Sequence, residues 1–277
     1  MTVDRSAAEA LRQAAQKLAA VSDTARLDAE LLMAHAAGLS REQVILGLRD
    51  LAEPEGFAAL IERRLGHEPV SHITGTRDFW TLTLAVTPDV LTPRPDSETL
   101  IEAAVEHYRG GRGPRAILDL GTGSGALLLA ALDEWREARG TGIDISAQAL
   151  AVARANAERC GMEARARFRP GNWCDGIVER FDLILANPPY IAETAQLTPE
   201  VVDHEPHLAL FSGEDGLDAC RDIADGLKRV MEPGGLALIE IGFDQGESAA
   251  ALFAQKGFRV TLKRDLAGHP RCLMLKR

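Results

Sequence analysis

Short apolar runs alternate with helical stretches along the sequence after residue 114. The runs are mostly apolar at consecutive positions and cover residues 116–120, 141–145, 181–186, 236–241, 259–262 and 272–275. Helical patterns separate most of them, for example Gly125–Ala138 and Ala147–Cys160. Strands that are apolar on both faces and are joined by helices form a parallel sheet covered on both sides. We therefore predict an α/β fold, with an antiparallel edge where only a short loop joins the last two strands.

The first 70 residues have a different pattern, in which apolar residues recur at helical intervals and glycine is rare. Ser40 and Gln43 have the spacing of a capping box, which predicts the start of a short helix. Three buried faces are expected: Leu11, Ala14, Ala15 and Leu18; Leu27, Leu31, Leu32 and Ala34–Ala36; and Phe57, Leu60, Ile61 and Leu65. This part of the chain is predicted to be a small helical bundle.

The pattern changes divide the chain into three segments. They are a helical domain (1–75), a β-hairpin and linker (76–97) and the domain that contains the sheet (98–277). Residues 81–86 alternate between apolar and polar or small side chains, which predicts half of a hairpin. Two prolines then keep the chain extended, and Asp96 or Ser97 can cap the helix that begins near Glu98.

The composition argues against several classes of protein. The 277 residues contain 31 Lys and Arg against 41 Asp and Glu, which gives a formal net charge of −10. Because nonspecific nucleic-acid binding depends on cations that neutralise phosphates, an acidic chain without a basic run is not expected to bind nucleic acid. No apolar run is long enough to span a membrane, and Met1–Gln16 lacks the apolar core of a signal peptide. We expect a cytoplasmic protein with no membrane partner.

The cysteines and histidines do not form a metal-ligand pattern. His204 and His207 have a ligand-like spacing, but Pro206 between them disrupts a helical presentation, and no other cysteine or histidine cluster joins them. No metal is therefore expected. Four cysteines are expected to be reduced structural thiols, since no two are close in sequence: Cys160, Cys174, Cys220 and Cys272.

A glycine-rich turn connects the first strand of the predicted sheet to a helix. It reads Gly121-Thr122-Gly123-Ser124-Gly125 and follows residues 116–120. Glycines let the backbone bend sharply and approach a ligand, and the helix start offers free N–H groups. Asp144, at the end of the second strand, is placed to accept hydrogen bonds from ribose hydroxyls. The turn and Asp144 together predict a cofactor that contains a nucleoside.

Two classes of cofactor fit this turn. Gly121, Gly123 and Ala126 satisfy the dinucleotide fingerprint, which would indicate an NAD-linked oxidoreductase. The same turn reads Asp119-x-Gly121-x-Gly123-x-Gly125, which resembles motif I of the class I methyltransferases. Those enzymes bind S-adenosylmethionine, and their leading acid lies near the methionine part of the cofactor. The tight glycine spacing and Asp119 favour S-adenosylmethionine over NAD.

The loop after residues 181–186 carries the predicted chemistry. It reads Asn187-Pro188-Pro189-Tyr190, and a loop at the carboxyl end of a strand faces the same crevice as the glycine turn. The two prolines lack N–H donors and hold backbone carbonyls rigidly, while Asn187 adds a side-chain acceptor and Tyr190 an aromatic face. Such acceptors can hold a planar –NH2 group so that its lone pair points at the sulfonium methyl group of S-adenosylmethionine.

Several stretches resemble the bacterial peptide chain release factor glutamine methyltransferases, the PrmC (HemK) family. They are Pro93–Glu98, Asp119–Gly125, Phe181–Ile191, Glu205–Leu210, Gly213–Leu217, Glu240–Gln245 and Asp265–Arg271. This resemblance implies a class I methyltransferase fold, with a Rossmann-like, seven-stranded, mostly parallel sheet, a small N-terminal helical bundle and a linking β-hairpin. It also implies methylation of the glutamine side-chain nitrogen (N5) in the Gly-Gly-Gln motif of class I release factors, which would be the partners.

The resemblance further implies roles for individual residues. The cofactor would be bound by Asp119, Gly121, Thr122, Gly123, Ser124, Gly125, Asp144, Trp173 and Asn187. The glutamine amide would be held by the catalytic loop Asn187, Pro188, Pro189 and Tyr190, with Arg94 at the substrate cleft. The family usually has Tyr at the position of His204, and its helical domain helps to dock the release factor.

Two alternatives remain open at this point. A DNA adenine N6-methyltransferase shares both loops, but the acidic charge and the lack of a basic target-recognition segment disfavour it. A module that binds the cofactor without catalysis is disfavoured by the intact loop Asn187–Tyr190.

Overall fold

The computed structural model describes residues 6–277, except for the side chain of Pro199. Residues 1–5 lie outside the described residues. They begin the segment Met1–Gln16, for which the sequence predicts no signal peptide. The chain forms two compact units. One contains the residues up to Thr76 together with Leu197–His204, and the other contains Arg77–Gln196 and Glu205–Arg277. Sequence reasoning did not separate Leu197–His204 from the sheet domain, and the segment boundaries at 75 and 97 stay predictions.

The α-helices are α1 (Ala7–Leu18), α2 (Ala25–Ala37), α3 (Arg41–Gly47), α4 (Phe57–Leu65), α5 (Val70–Thr74), α6 (Glu98–Tyr108), α7 (Ala126–Glu134), α8 (Ala147–Arg159), α9 (Pro199–His204), α10 (Asp218–Val230) and α11 (Gly246–Gln255). The strands are β1 (Thr76–Phe79), β2 (Leu82–Ala85), β3 (Ala116–Leu120), β4 (Arg139–Asp144), β5 (Ala166–Pro170), β6 (Phe181–Ala186), β7 (Met231–Glu240), β8 (Arg259–Arg264) and β9 (Pro270–Lys276). Short 3-10 turns lie at Pro95–Ser97 and His207–Ala209.

The helical unit has α1 to α5 around one apolar core. The capping box is confirmed, because the Ser40 hydroxyl accepts from the Gln43 N–H while the Gln43 side chain accepts from the Ser40 N–H. The predicted face of α2 is correct for Leu32 and Ala34, which are buried, and wrong for Leu27. Leu27 is 40% exposed, whereas Met33 is fully buried. Acidic side chains can occupy the buried side of α2 because arginines neutralise them, so apolar spacing alone misplaces part of the face.

A buried arginine organises this unit. The Arg64 guanidinium lies 2.8 Å from the Asp28 carboxylate and 2.9 Å from that of Glu200, and only 5% of its side chain is exposed. Asp28 also accepts hydrogen bonds from the hydroxyls of Ser22 and Thr24. The double ion pair therefore joins α9 to α2 and α4 within the helical unit.

The sheet confirms the predicted fold class. Its strand order is β5-β4-β3-β6-β7-β9-β8, in which β9 runs antiparallel to both β7 and β8 and the other pairs are parallel. Helices α6 and α7 pack on one apolar face of the sheet, and α10 and α11 pack on the other. Sequence reasoning did not locate β5. As an edge strand, Ala166–Pro170 is only partly buried and lacks a continuous apolar run.

The strand order reverses direction at β3. From there the chain builds outward through β4 and β5, and it then returns to the other side of β3 to form β6. Ligands of open α/β sheets bind at such a switch point, outside the carboxyl ends of the strands. Leu120 pairs with Ala186, so Gly121 and Asn187 each follow one member of the same register pair. The two predicted functional loops therefore begin side by side. No helix among residues 6–277 is long and apolar enough to cross a membrane.

Candidate active site

A cavity of about 440 Å³ lies at the carboxyl ends of β3, β4 and β6. This volume is within the usual range for small-molecule sites, roughly 300–1,000 Å³. Nine of the residues proposed from sequence line it: Arg94, Gly121, Thr122, Gly123, Ser124, Asp144, Trp173, Asn187 and Pro189. Four others do not line it and lie at or behind the two loops: Asp119, Gly125, Pro188 and Tyr190.

The glycine turn has the backbone that its sequence requires. Gly121, Gly123 and Gly125 have φ angles of 70°, 54° and 84°, in the left-handed region that side chains disfavour. A Cβ on Gly121 would lie 3.1 Å from the ring of Trp173, which closes over the turn. The Gly121 and Thr122 N–H groups both donate to the Ile143 carbonyl, and the turn is thereby tied to β4.

Asp119 lies beneath the turn and not on the cavity surface. Its side chain is almost fully buried, and its Oδ2 accepts a 2.6 Å hydrogen bond from the Thr122 hydroxyl. Burial raises the pKa of Asp119 to about 7. Within the described residues, Oδ1 has no hydrogen-bond partner. A buried acid with one unpaired oxygen beside the turn fits a cofactor that carries positive charge, as S-adenosylmethionine does.

Asp144 supports the turn from the neighbouring strand. One carboxylate oxygen accepts from the Gly123 N–H at 2.8 Å, and the other accepts from the Ser146 N–H at 2.9 Å. An ionised carboxylate has about four lone-pair sites, so acceptor capacity remains for ribose hydroxyls at the cavity surface. Ile145, which is 62% exposed and lines the same cavity, is an apolar neighbour that sequence reasoning missed.

The loop after β6 presents one face of Asn187 to the cavity. Its amide nitrogen donates to the Ser97 hydroxyl at 3.0 Å, and this contact leaves the oxygen Oδ1 able to accept a further hydrogen bond. Sequence reasoning expected Asp96 or Ser97 to cap α6. Ser97 does occupy the N-cap position, but in the described structure its side chain makes no capping bond. The hydroxyl serves Asn187 instead.

The far end of this loop is held from behind by Gln245. Its side-chain nitrogen donates to the Tyr190 carbonyl at 2.9 Å and to the Gly216 carbonyl at 3.2 Å. Its side-chain oxygen accepts from the Gly242 N–H at 2.9 Å. Burial raises the pKa of Tyr190 to about 12, so the phenol is neutral at ordinary pH and is not a base. Gln245 was part of the quoted resemblance, but no pattern in the sequence indicated what it contacts.

Arg94 reaches the cavity with its charge already paired. The guanidinium lies 2.7 Å from the carboxylate of Glu205, whose side chain is 2% exposed, while 37% of the Arg94 side chain remains accessible. His204 is elsewhere, since it ends α9 in the helical unit and is not a lining residue of the cavity. Among the described residues, no group of three or more His, Cys, Asp or Glu could hold a metal ion.

The fold and this cavity define a class I S-adenosylmethionine-dependent methyltransferase. Residues 96–207 match the family described as methyltransferase small domain, and residues 9–75 match the PrmC N-terminal domain. A solved methyltransferase from Pyrococcus furiosus superposes with a TM-score of 0.52 at 18% identity, covering 69% of this chain and 86% of that one. At that identity the likeness shows the fold alone.

Two relatives identify the family more closely. A release factor glutamine methyltransferase from Caulobacter vibrioides is 42% identical over 259 residues, covering 91% of this chain and 89% of the relative. One from Cereibacter sphaeroides is 45% identical over 273 residues, covering 96% of each chain. The chain belongs to the release factor glutamine methyltransferase family, as the resemblance predicted, and its methyl donor is S-adenosylmethionine.

Proposed function

We propose that this protein methylates the side-chain nitrogen (N5) of the glutamine in the Gly-Gly-Gln motif of class I release factors. One observation carries the proposal. The glycine turn and Asp144 share a single cavity with Asn187 and Pro189, so a methyl donor and a planar amide can be held next to each other. Because release factors act in translation, we also propose the cytoplasm as the place of the reaction.

The chemistry needs orientation more than it needs a base. The lone pair of an amide nitrogen is delocalised into the carbonyl, which makes the nitrogen a poor nucleophile. Acceptors that hold both –NH2 hydrogens localise that pair and point it along the line of attack. S-adenosylmethionine, when bound, supplies the electrophilic methyl group. Positioning of this kind can contribute about 7–11 kcal/mol to lowering the barrier.

The protein's residues divide this work. Asn187 Oδ1 would accept from one N–H of the glutamine –NH2 group and a rigid carbonyl of the Pro188–Pro189 pair from the other, and Tyr190 would support the loop. The new N–C bond forms as the C–S bond breaks, and the amide proton then leaves to water. The turn Gly121–Gly125, with Asp119 beneath it, would hold the cofactor together with Asp144 and Trp173, and Arg94 would border the substrate.

We further propose that the helical unit docks the release factor. Three apolar side chains on its surface support this role, since they are exposed to 40%, 42% and 87%: Leu27, Ile45 and Leu46. Contiguous exposed apolar surface marks interaction sites, and Ile45 and Leu46 are consecutive residues of α3.

The test is methyl transfer from labelled S-adenosylmethionine. We expect a class I release factor to be labelled on the Gly-Gly-Gln peptide, and a release factor with glutamate at that glutamine to stay unlabelled. Duplex DNA serves as the control for the alternative substrate. Labelled DNA together with an unlabelled release factor would overturn the proposal.

A further inference from the structure

The reaction depends on which way round the amide of Asn187 faces. An asparagine amide has two nearly equal-sized ends, an oxygen that accepts hydrogen bonds and an –NH2 that donates them. Only the oxygen can hold the –NH2 group of a glutamine. If the amide turned over, two donors would face each other and the substrate nitrogen would not be oriented. Something in the protein must therefore select one orientation.

Ser97 is the residue in contact with the other end of this amide. Its hydroxyl accepts from Asn187 Nδ2 at 3.0 Å, across 90 residues of sequence, and the serine is 3% exposed. A hydroxyl also has one proton of its own to donate. If that proton went to Asn187 Oδ1, the amide would turn over. The orientation therefore depends on where the Ser97 proton is held.

Glu240 lies next to both residues. The parallel register of β6 and β7 pairs Ala186 with Ile239, so Asn187 and Glu240 occupy the next positions at the same end of the sheet. Glu240 is fully buried, and among the described residues neither of its carboxylate oxygens has a partner in good hydrogen-bond geometry. The Ser97 hydroxyl lies near enough to act on it as a donor and to lower its pKa. A buried carboxyl with so few partners requires an explanation.

We propose that Ser97 and Glu240 are positioning residues that fix the orientation of the Asn187 amide. This inference rests on the proposed function and goes beyond it. The Ser97 hydroxyl donates to the Glu240 carboxylate and can then only accept from Asn187 Nδ2. With both hydrogen bonds donated in this direction, from Asn187 to Ser97 and from Ser97 to Glu240, Asn187 Oδ1 faces the cavity.

The two hydrogen bonds can run in the opposite direction when Glu240 is protonated. The carboxylic acid then donates to Ser97, Ser97 donates to Asn187 Oδ1, and the –NH2 end turns to the cavity. Burial raises the pKa of Glu240 to about 7, and Ser97 and Arg271 lower it. Asp96 raises that pKa and Arg94 lowers it. Further titratable neighbours are Tyr190 and Cys272, whose own pKa values the Glu240 charge raises. Transfer should therefore weaken as the pH falls through about 7.

The first experiment compares Ser97→Ala with Ser97→Thr, which keeps the hydroxyl. At saturating release factor and S-adenosylmethionine, we expect Ser97→Ala to lower kcat about tenfold, the worth of one oriented hydrogen bond, and Ser97→Thr to restore it. Affinity for S-adenosylmethionine, measured by calorimetry, should change little. Ser248→Ala is the matched control, because the Ser248 hydroxyl donates to the Gln245 backbone carbonyl at 3.2 Å and lies on α11. A kcat of Ser97→Ala within twofold of the wild type would overturn the inference.

The second experiment separates positioning from simple support of the fold. Glu240→Gln keeps the shape but cannot ionise, so the fall in kcat below about pH 7 should disappear in this variant. An unchanged pH profile would contradict the role of Glu240.

A third measurement does not depend on activity. In ¹⁵N spectra, the Asn187 side-chain –NH2 should exchange slowly with solvent in the wild type and rapidly in Ser97→Ala. If this difference is found but no release factor is methylated, the proposed function fails and the positioning role stands. If methylation is found but the exchange is the same in both proteins, the positioning role fails alone.

Discussion

Replacement of Gly216 by alanine tests how the loop Asn187–Tyr190 is held. Gly216 has a φ of 75°, and a Cβ there would lie 2.3 Å from the Tyr190 carbonyl oxygen and 2.7 Å from the Gln245 side-chain nitrogen. The added methyl group would push the Tyr190 carbonyl and the Gln245 side chain away from residue 216 by roughly 1 Å, since ordinary contact begins at about 3.4 Å. The variant should therefore lose the hydrogen bond from Gln245 to the Tyr190 carbonyl and displace the loop that begins at Asn187.

The size of the effect has two parts. An alanine in the left-handed region costs about 1 kcal/mol in unfolding free energy. A buried hydrogen bond that is broken without replacement costs about 1–3 kcal/mol more. Displacement of the loop by this amount should also lower kcat about 100-fold, because alignment at the reacting centre is sensitive to shifts near 1 Å. Urea unfolding and steady-state methyl transfer to a release factor measure the two quantities.

Gly161→Ala separates strain from displacement. Gly161 also has a left-handed backbone, with φ of 66°, but nothing lies within 4 Å of its Cβ position. It should lose only the first part, about 1 kcal/mol, with kcat unchanged. If both variants lose the same stability and activity, the contact with Tyr190 does not hold the loop, and the reasoning is refuted.

Three further substitutions give distinct outcomes. Asn187→Ala should lower kcat at least 100-fold, roughly the cost of removing one oriented polar group at a reacting centre, with a native circular-dichroism spectrum; substantial residual transfer would contradict its role. Arg64→Met should lower the unfolding free energy measured in urea by about 3 kcal/mol, since it leaves Asp28 buried without its ion pair. Arg63→Met should lower it by under about 1 kcal/mol, because the Arg63–Glu68 pair is exposed. Equal losses in the two variants would refute this distinction. Asp119→Asn should remove a pH dependence. The pKa of Asp119 is about 7 in the folded state and 3.8 in the unfolded state, so protonation of Asp119 favours folding. The ligand-free wild type should therefore lose stability relative to the variant as the pH rises from about 4 to 7. A constant difference in unfolding free energy between the two proteins over that range would contradict the buried acid.

Much of the sheet could be predicted because each buried strand is recognisable from consecutive residues of the sequence. Buried parallel strands are continuous apolar runs, so β3 and β6 were located at their observed bounds. The edge strand β5 was not located, because an exposed edge tolerates arginines that interrupt the run. On α2, helical spacing of apolar residues located Leu32 and Ala34 on the buried face but missed Asp28 and Glu30, whose burial depends on ion pairs.

The candidate site divides in the same way. The sequence by itself determined the glycine turn and the loop Asn187–Tyr190, because left-handed φ angles require glycine and a donor-free backbone requires proline. Only the tertiary structure decided what surrounds them: Ser97 and Gln245 reach the loop from 90 and 55 residues away. Hydrogen bonds across such separations leave no periodic trace in a sequence, because they depend on where strand ends meet and not on neighbouring residues.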